Sequence, residues 1–377
     1  MTPIDSLADL SDASACPLMV LKVGSAILVG QDGEPRRAWL ASLARDIAAA
    51  RSRGQNVIVV SSGAIALGAA RLGMKKRGRA SLPDAQAAAA VGQIALASLW
   101  SDALGKEGFN AAQLLVTLDD LEDRRRYLNA AATLGRLLSA GAVPVVNEND
   151  SVATEEIRFG DNDRLAARVA QAAGASAVIL LSDVDGLFDR DPADGKATLV
   201  PVITKISPDL RAGAGRTSKS GVGTGGMASK LEAADIAQRA GIALAIINGT
   251  HDRPLSHALA NCRGSLFLPL RSEAARRSWL GGRLQLAGTL TVDAGCVAAL
   301  RDGASLLATG IIAAEGIFER GDVVAVRDEL GQIAKGLVEY SSAECRQILG
   351  RKTSDQADLL GYSPRSAVIH RDHLVLV

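Results

Sequence analysis

The sequence predicts an α/β fold, a three-layer sandwich with a mainly parallel central sheet, followed by a small β-rich domain. Over roughly the first 250 residues, short runs rich in Val, Ile and Leu alternate with longer amphipathic or Ala-rich stretches, which is the pattern of a parallel sheet between helical layers. Beyond residue 269, short apolar runs lie between Gly and Asp turns instead. That pattern is typical of a small domain built from short strands.

The chain is long enough for more than one domain. Its 377 residues exceed what one hydrophobic core usually organises. We divide it into an N-terminal extension at 1–16, a large domain at 17–268, a linker at 269–282 and the small domain at 283–377. The extension is expected to be disordered, as chain ends often are. The linker is rich in arginine and ends in a double glycine.

Composition and charge exclude several classes of protein. Apolar residues make up 48% of the chain and charged residues 22%, which describes a globular protein. The net charge of +1 gives no overall field that favours nucleic acid. The N-terminus lacks the basic-then-apolar order of a signal peptide, and no stretch approaches the roughly 20 uninterrupted apolar residues of a membrane span. We therefore expect a cytoplasmic protein with no membrane attachment.

Cysteine and histidine restrict the chemistry. The four cysteines, Cys16, Cys262, Cys296 and Cys345, are far apart and lack CxxC spacing, so we expect buried thiols rather than disulfides or a zinc site. All four histidines lie beyond residue 250. Whatever reaction the first 250 residues perform uses no histidine as base, nucleophile or metal ligand.

The elements of the large domain follow from hydrophobic periodicity. The predicted strands are residues 18–23, 56–60, 111–117, 142–146, 177–181 and 243–247. The predicted helices are residues 38–53, 84–104, a helix ending near 140, 164–173 and 227–240. In the small domain the predicted strands are residues 289–292, 322–326 and 336–340.

The first two strands of the large domain end in residues suited to anions. Lys22 lies at the end of the first strand, just before Gly24. The second strand runs directly into Ser61, Ser62 and Gly63 at the start of a helix, where hydroxyl groups and unpaired backbone N–H groups favour anion binding.

The stretch 141–163 predicts a ligand site. The apolar run 142–146 is followed at once by Asn147, Glu148, Asn149 and Asp150, and then by a second polar cluster, Asp161, Asn162 and Asp163. Ligands of open parallel sheets bind beyond the carboxyl ends of strands. Carboxylates beside carboxamides suit a small ligand that carries an amino group. These residues also form turns, but two clusters flanking one loop favour a binding site.

Residues further along the chain indicate a nucleotide. The strand 177–181 ends in Ser182 and Asp183, with Asp185 close behind, where carboxylates would meet a nucleotide or its magnesium. The glycine-rich loop 219–226 opens a helix that carries Lys230. The loop lacks the P-loop pattern and does not follow a strand as a Rossmann loop would. Its unpaired backbone N–H groups and the helix dipole nevertheless favour the binding of phosphate. The alternative interpretation is a flexible loop that binds nothing.

Together these features predict phosphoryl transfer to a carboxylate. Two lysines and a phosphate-binding loop supply the positioning and charge neutralisation on which phosphoryl transfer depends. An alcohol acceptor usually needs a base. A carboxylate acceptor, with a pKa of about 4.3 for a glutamate side chain, is already ionised at neutral pH. An acceptor that is already ionised needs no base, which agrees with the absence of histidine from the first 250 residues.

Several motifs resemble those of the amino-acid kinase family and, within it, the glutamate 5-kinases. They occur in the family's order: LKVGS (21–25), SSGAIALG (61–68), VNENDSVAT (146–154), FGDND (159–163), SDVDGLF (182–188) and GTGGMASK (223–230). The C-terminal part is similar to a PUA domain in its segments GTLTVDAGCVAAL (288–300), SLLATGI (305–311) and GIFERGDVVAV (316–326). The resemblance covers nearly the whole chain.

The resemblance implies an activity and its partners. The expected reaction is ATP-dependent phosphorylation of the side-chain carboxylate of L-glutamate to L-glutamate 5-phosphate, the first step of proline biosynthesis. It also implies Mg²⁺ with the nucleotide, feedback inhibition by L-proline, a homo-oligomer (dimer or tetramer) and a glutamate-5-phosphate reductase that consumes the product. The sequence identifies no residue as a dedicated magnesium ligand.

The resemblance also assigns roles to residues at matching motif positions. Lys22 would hold the ATP phosphates, Lys230 would stabilise the transferred phosphoryl group, and Asp163 would orient both lysines. Glutamate would be bound by Ser62, Gly63, Asp150, Asp161 and Asn162. ATP would be bound by Lys22, Ser182, Asp183, Thr224, Gly225, Gly226, Met227, Ala228, Ser229 and Lys230.

Other functions are weighed against this one. PUA modules often bind RNA, but residues 283–377 contain ten Lys or Arg and twelve Asp or Glu, a net charge of −2, which does not favour a phosphate-tracking surface. Related kinases phosphorylate aspartate, N-acetylglutamate or carbamate. Asp150 argues for a substrate with a free amine, which N-acetylglutamate lacks. A catalytically inactive amino-acid sensor is disfavoured because both lysines and Asp163 are present.

Overall fold

The computed structural model describes residues 2–152, 162–190, 195–207, 210–211, 226–270, 286–365 and 367–376. The chain divides into two compact units. The first consists of Met1–Leu121 and Ala130–Arg271, and the second of Glu122–Asn129 and Ser272–Val377. From residue 271 onward, the predicted linker lies outside the described residues.

The first unit contains the predicted mainly parallel sheet. Eight strands among the described residues form it, in the order β3-β4-β2-β1-β5-β7-β8-β6. Neighbouring strands run parallel except for β7 and β8. The strands are β1 Leu18–Val23, β2 Asn56–Ser61, β3 Ala111–Val116, β4 Val143–Glu148, β5 Ala177–Ser182, β6 Val202–Ile203, β7 Ala243–Asn248 and β8 Ser265–Phe267.

Helices connect these strands and cover both faces of the sheet. Along the chain they are α1 Ser25–Leu28, α2 Arg37–Ser52, α3 Ala64–Arg71, α4 Leu82–Lys106, α5 Leu118–Glu122, α6 Arg124–Ser139, α7 Asn162–Ala173, α8 Met227–Arg239 and α9 Pro254–Asn261. Alternate residues of β1, such as Met19 and Leu21, are buried with α2, α4 and α9. The helices α7 and α8 pack together, and α7 contacts β1, β2 and β5. The three-layer α/β prediction is confirmed.

Register brings the polar ends of the strands to one edge of the sheet. Lys22 of β1 lies level with Val60 of β2 and Leu180 of β5. Ser182, the last residue of β5, pairs with Asn248 of β7. Because neighbouring strands are parallel, the residues that follow them collect at the same edge.

The second unit contains the predicted β-rich domain. Its described strands are β9 Gly288–Val292, β10 Ile311–Gly316, β11 Val323–Arg327, β12 Gln332–Leu337 and β13 Leu374–Leu376, in the sheet order β10-β9-β11-β12-β13. Its helices are α10 Ala294–Arg301, α11 Ser342–Ile348 and α12 Thr353–Leu360. They enclose a separate hydrophobic core that includes Leu290, Phe318 and Val326.

The predicted strand 336–340 is wrong in its bounds. The strand is Gln332–Leu337, so it begins four residues and ends three residues before the predicted bounds. Val338 and Tyr340 are nevertheless fully buried, because they pack in the core of the second unit. Their apolar character reflects burial in this core rather than strand pairing.

The prediction of a disordered N-terminal extension is also wrong. Residues Leu7–Ser11 form a 3₁₀ helix that begins with a capping box between Ser6 and Asp9. Ile4, Leu7 and Leu10 recur every three residues, and all three are buried in the main core. A regular apolar stripe thus docks a segment that composition alone describes as a polar tail.

The prediction of buried thiols holds for two of the four cysteines. Cys16 and Cys345 are buried, whereas Cys296 is half-buried and Cys262 is exposed. Burial raises the pKa of the Cys16 thiol to about 12. Cys262 ends α9 in a left-handed backbone conformation, with φ of 47°, which places its side chain at the surface.

One helix among the described residues, α4, is long and apolar enough to span a membrane by length and composition alone. Its Leu96 and Trp100 are fully buried in the core of the first unit. Trp100 Nε1 also donates to Ser61 Oγ over 2.9 Å. These contacts are those of a core helix.

Helices α3 and α4 touch backbone to backbone. A Cβ atom added at Gly92 would lie 1.8 Å from the Ala64 carbonyl oxygen, and one added at Gly68 would lie 1.7 Å from the Ala88 carbonyl oxygen. Neither position has room for a side chain. The two glycines therefore fix α4 against the start of α3.

We expect Gly92→Ala to destabilise the protein by at least about 2 kcal/mol, because one helix must move away from the other. Gly105→Ala is the matched control on the same helix, since a Cβ there meets nothing within 4 Å. Its alanine should stabilise α4 by up to about 1 kcal/mol through helix propensity. Thermal unfolding measures both variants. Equal melting temperatures would contradict the close contact.

Candidate active site

The structure brings most of the predicted site residues together at the carboxyl edge of the sheet. Lys22 comes from the end of β1, and Ser62 follows β2. Asn162 and Asp163 begin α7, and Lys230 lies one turn into α8. Contacts between these side chains form two adjoining groups, an ion triad around Asp163 and an amide network around Asn162.

The ion triad consists of one carboxylate between two lysines. Lys22 Nζ lies 2.6 Å from Asp163 Oδ1, and Lys230 Nζ lies 3.1 Å from Asp163 Oδ2. Asp163 is 1% exposed and each lysine 7%. Ser229 Oγ donates a longer hydrogen bond to Asp163 Oδ2, at 3.4 Å. The expected association of these three charged residues is therefore present in the fold.

Asp163 is held ionised. Burial acts to raise the pKa of its carboxyl group, but the charges of Lys22 and Lys230 and their hydrogen bonds outweigh burial and lower that pKa. Its place in the first turn of α7 adds the favourable field of the helix N-terminus. The triad itself joins two lysine charges to one carboxylate charge. Positioned ammonium groups of this kind suit an anionic ligand.

The amide network continues from the next residue in the chain. Asn162 Nδ2 donates to Ser62 Oγ over 2.6 Å and to Asn147 Oδ1 over 3.1 Å. Asn147 Nδ2 in turn donates to Gln93 Oε1 of α4 over 2.8 Å. Both asparagines are nearly inaccessible to solvent, at 5% for Asn162 and 1% for Asn147.

This network leaves one buried acceptor without a partner. Both N–H bonds of the Asn162 amide are used, and Asn162 Oδ1 has no hydrogen-bond partner among the described residues. Buried polar atoms are nearly always paired. The missing partner must be a donor, and a ligand that carries N–H groups would supply it.

Ser62 and Gly63 form the turn between β2 and α3. Gly63 has a φ of 122°, a left-handed conformation that favours glycine. A Cβ there would lie 3.2 Å from Leu28 Cδ2. The backbone N–H of Ser62 is tied to the Val23 carbonyl over 2.9 Å. The turn therefore holds the Ser62 hydroxyl rigidly against Asn162.

Asp150 follows β4 and has an unusually basic carboxyl group. Burial raises its pKa to about 6, and the charge of Arg79 offsets part of this increase. Among the described residues, burial and the charge of Arg79 are the influences on this pKa, and no hydrogen bond to the Asp150 carboxyl group contributes. A cationic group brought by a ligand would restore its ordinary pKa. Asp161, the other predicted acid, lies outside the described residues.

The predicted nucleotide residues are placed only in part. Ser182 is buried, and its hydroxyl donates to Asp183 Oδ1 over 3.3 Å, while Asp183 is exposed at the sheet edge. Gly226 caps α8, and Met227, Ala228 and Ser229 form its first turn before Lys230. Thr224 and Gly225 lie outside the described residues.

Asp185, which the sequence analysis placed with Asp183 near a nucleotide, has hydrogen-bond partners within the protein. It accepts hydrogen bonds from Asn248 Nδ2 over 2.8 Å and from Arg263 Nε over 2.8 Å. The hydrogen bond from Asn248, together with Arg263, lowers the pKa of Asp185. Asp185 therefore joins the ends of β5 and β7 to the segment after α9, and its oxygens are occupied.

The described residues contain no group of three or more His, Cys, Asp and Glu side chains arranged to hold a metal ion. Magnesium that arrives with a nucleotide needs only one or two carboxylates besides the phosphate oxygens. Asp183, exposed at the end of β5, fits that requirement by its chemistry.

Two residues of the site escaped the sequence analysis. Gln93 lies inside an Ala-rich helix, where a single polar residue resembles many others. Asn147 lies near the end of β4, in the first polar cluster of the sequence analysis, but received no role there. Only the fold shows that Gln93, Asn147 and Asn162 are joined.

Comparison with known proteins adds to this geometry. The sequence profile of the amino acid kinase family matches residues 17–248, and that of the PUA domain matches residues 288–359. The chain is 60% identical over 375 residues to the glutamate 5-kinase of Novosphingobium aromaticivorans, covering 99% of this chain and 100% of that protein.

A second relative and a solved structure extend the comparison. The chain is 58% identical to the glutamate 5-kinase of Sphingopyxis alaskensis, covering 97% of this chain and 98% of that protein. An isopentenyl phosphate kinase structure is similar with a TM-score of 0.45 and 21% identity, covering 66% of this chain and 99% of that chain.

We expect Asp163→Asn to destabilise the protein by roughly 3–5 kcal/mol at neutral pH, because it leaves two buried lysines without their counter-charge. The pKa of Asp163 is lowered below 3.8, so its stabilising contribution is complete above that pH. It is lost as the pH falls through the lower, folded-state pKa. Chemical denaturation as a function of pH measures both effects.

Asp235→Asn on α8 is the matched control. Asp235 pairs with Arg239 at 3.0 Å and with Arg211 at 3.3 Å near the surface, where such pairs contribute about 1 kcal/mol or less. Comparable losses in the two variants would contradict the special burial of the Asp163 triad.

Proposed function

Because the chain belongs to the amino acid kinase family and carries a PUA domain, we propose that it transfers the γ-phosphoryl group of ATP to L-glutamate. The acceptor is the side-chain carboxylate, and the product is L-glutamate 5-phosphate, formed in the first step of proline biosynthesis. The observation that carries the proposal is the buried triad in which Asp163 holds Lys22 and Lys230 together. The activity named for the relatives supports the choice of substrate.

The triad supplies what phosphoryl transfer requires. Charge develops on the oxygens of the transferred group, and positioned cations stabilise it. Asp163 keeps the two ammonium groups at a fixed separation and leaves a net positive charge between them. Lys22 holds the ATP phosphates, and Lys230 stabilises the group in transfer. No base is needed, because the acceptor carboxylate is already ionised at neutral pH.

The amide network and Asp150 bind the α-amino group of glutamate. The unpartnered Asn162 Oδ1 and the Asp150 carboxylate are both acceptors that suit an ammonium group. Ser62 and Gly63, at the start of α3, bind a carboxylate of the substrate. Asp161, next in sequence to Asn162, shares in binding glutamate. A substrate without a free amine would leave these buried acceptors unpaired.

ATP binds at the ends of β5 and α8. The residues assigned to ATP by the resemblance are Ser182, Asp183, Thr224, Gly225, Gly226, Met227, Ala228, Ser229 and Lys230. The N–H groups and dipole at the start of α8 favour the negative charge of the phosphates. Asp183 would hold a Mg²⁺ ion bound together with ATP, and the ion would supply charge neutralisation at the phosphates.

The regulation and partners of the enzyme follow from the resemblance to glutamate 5-kinases. We propose that L-proline inhibits the reaction, that the protein forms a homo-oligomer in the cytoplasm, and that a glutamate-5-phosphate reductase consumes the product. The second unit has a PUA fold, and its net charge of −2 over residues 283–377 does not support an RNA-binding function.

The experiment that tests the proposal is ATP turnover with magnesium and hydroxylamine, which traps an acyl phosphate as a hydroxamate. Glutamate, aspartate and N-acetylglutamate are offered separately. We expect hydroxamate with glutamate only, and less of it when proline is added. Turnover with another acid would contradict glutamate as the substrate. An unchanged rate in the presence of proline would contradict inhibition by proline.

We expect Asp150→Asn to raise the KM for glutamate by about 10- to 100-fold, which corresponds to the loss of a hydrogen bond to a charged group. In the unaltered protein, kcat/KM for glutamate should fall as the pH drops below about 6, because the protonated Asp150 no longer attracts the ammonium group. Asp150→Asn should remove this dependence.

Asp102→Asn is the matched control, since Asp102 is exposed on α4. It should preserve both the KM and the pH profile. If Asp150→Asn left the KM for glutamate unchanged, the amino group would have to bind elsewhere.

A further inference from the structure

Three amide side chains form one continuous line from the proposed glutamate pocket into α4. Asn162 donates to Asn147, and Asn147 donates to Gln93. The three residues come from α7, β4 and α4, so the line exists only in the folded chain. Its last member, Gln93, is connected to Asn162 through Asn147.

The donor-to-acceptor direction of these hydrogen bonds decides whether Asn162 offers an oxygen or an N–H group to the ligand. A primary amide has a donor end and an acceptor end. In the observed direction, Asn162 uses both N–H bonds within the protein and leaves Oδ1 without a partner. In the reverse direction, Asn162 Oδ1 would accept from Asn147, and an N–H group would be left over. Oxygen attracts an ammonium group, whereas an N–H group repels it.

Gln93 is the residue at which the direction is set. Asn147 is 1% exposed, so in the folded chain its Nδ2 group relies on the acceptor that Gln93 Oε1 provides. Gln93 also borders a cavity of about 280 Å³ between α4 and β3, together with Ser98, Trp100 and Gln113. Gln93 therefore has open space on one side, while its Oε1 accepts from Asn147 on the other.

The backbone holds Gln93 at this place. The preceding residue, Gly92, packs against the Ala64 carbonyl with no room for a side chain. Ala64 begins α3 directly after Ser62 and Gly63. The turn of α4 that carries Gln93 is thus fixed relative to the turn that carries the Ser62 hydroxyl, and both hold the Asn162 amide.

We propose that Gln93 is a positioning residue that, through Asn147, keeps Asn162 Oδ1 turned toward the α-amino group of the substrate. This inference rests on the proposed function, because it concerns the same pocket. It assigns to a residue outside the pocket part of the discrimination between an amino acid and a dicarboxylic acid without an amine.

Two substitutions separate the acceptor from the side-chain volume. Gln93→Met keeps a similar length and removes the acceptor, whereas Gln93→Glu keeps the acceptor and removes the donor. The readouts are the KM for glutamate, the KM for ATP, and the ratio of kcat/KM for glutamate to that for glutarate, which lacks the amino group. Thermal unfolding confirms that each variant is folded.

We expect Gln93→Met to raise the KM for glutamate about tenfold or more, to lower the glutamate-to-glutarate ratio by a similar factor, and to leave the KM for ATP unchanged. Gln93→Glu should retain the ratio of the unaltered protein. An unchanged ratio in Gln93→Met would overturn the inference, and so would an equal rise in both KM values, which indicates a general structural defect. If Gln93→Met does not fold, the test rests on Gln93→Glu. A glutamate-to-glutarate ratio lower in Gln93→Glu than in the unaltered protein would then overturn the inference.

The unaltered protein separates this inference from the function on which it rests. If it forms no hydroxamate from glutamate, the proposed function fails, and the inference fails with it. If it is active and the ratio does not respond to Gln93→Met, the inference alone is overturned.

Discussion

The ion triad of Lys22, Asp163 and Lys230 is the interaction on which the rest of the site depends. Removing three charged groups from water is costly unless their geometry is good. That geometry exists only when β1, α7 and α8 meet at one edge of the sheet. The parallel register of β1 with β2 and β5 is therefore a condition of the chemistry as well as of the fold. The two ammonium groups held in this way are the kind of group that binds a phosphate-bearing ligand.

The amide network complements the triad by a different physical means. The triad acts through net charge, which does not distinguish one anion from another. The network acts through the direction of hydrogen bonds between neutral groups, and direction does distinguish a donor from an acceptor. Since Asn162 and Asp163 are neighbours at the start of α7, the first turn of one helix serves both.

The sequence predicted which residues lie close together where a polar residue stands next to a strand end. Lys22, Ser62, Asp163 and Lys230 are charged or hydroxyl residues beside buried apolar runs or glycines, and the parallel sheet brings such positions together. Asp185 follows the same local rule, but its hydrogen bonds to Asn248 and Arg263 join residues distant in sequence and could not be predicted. Gln93 gave no local signal, because its importance comes from Asn147 across the fold.

The docked N-terminal segment has a practical consequence. A chain trimmed to begin at residue 17, where the match to the family profile starts, would lose Ile4, Leu7 and Leu10 from the main core. The side-chain amide of Gln55, fully buried, donates to the carbonyls of Leu10 and Cys16 over 2.9 and 2.8 Å, and both acceptors would disappear. Expression and crystallisation work should therefore keep the full N-terminus and place any affinity tag before it.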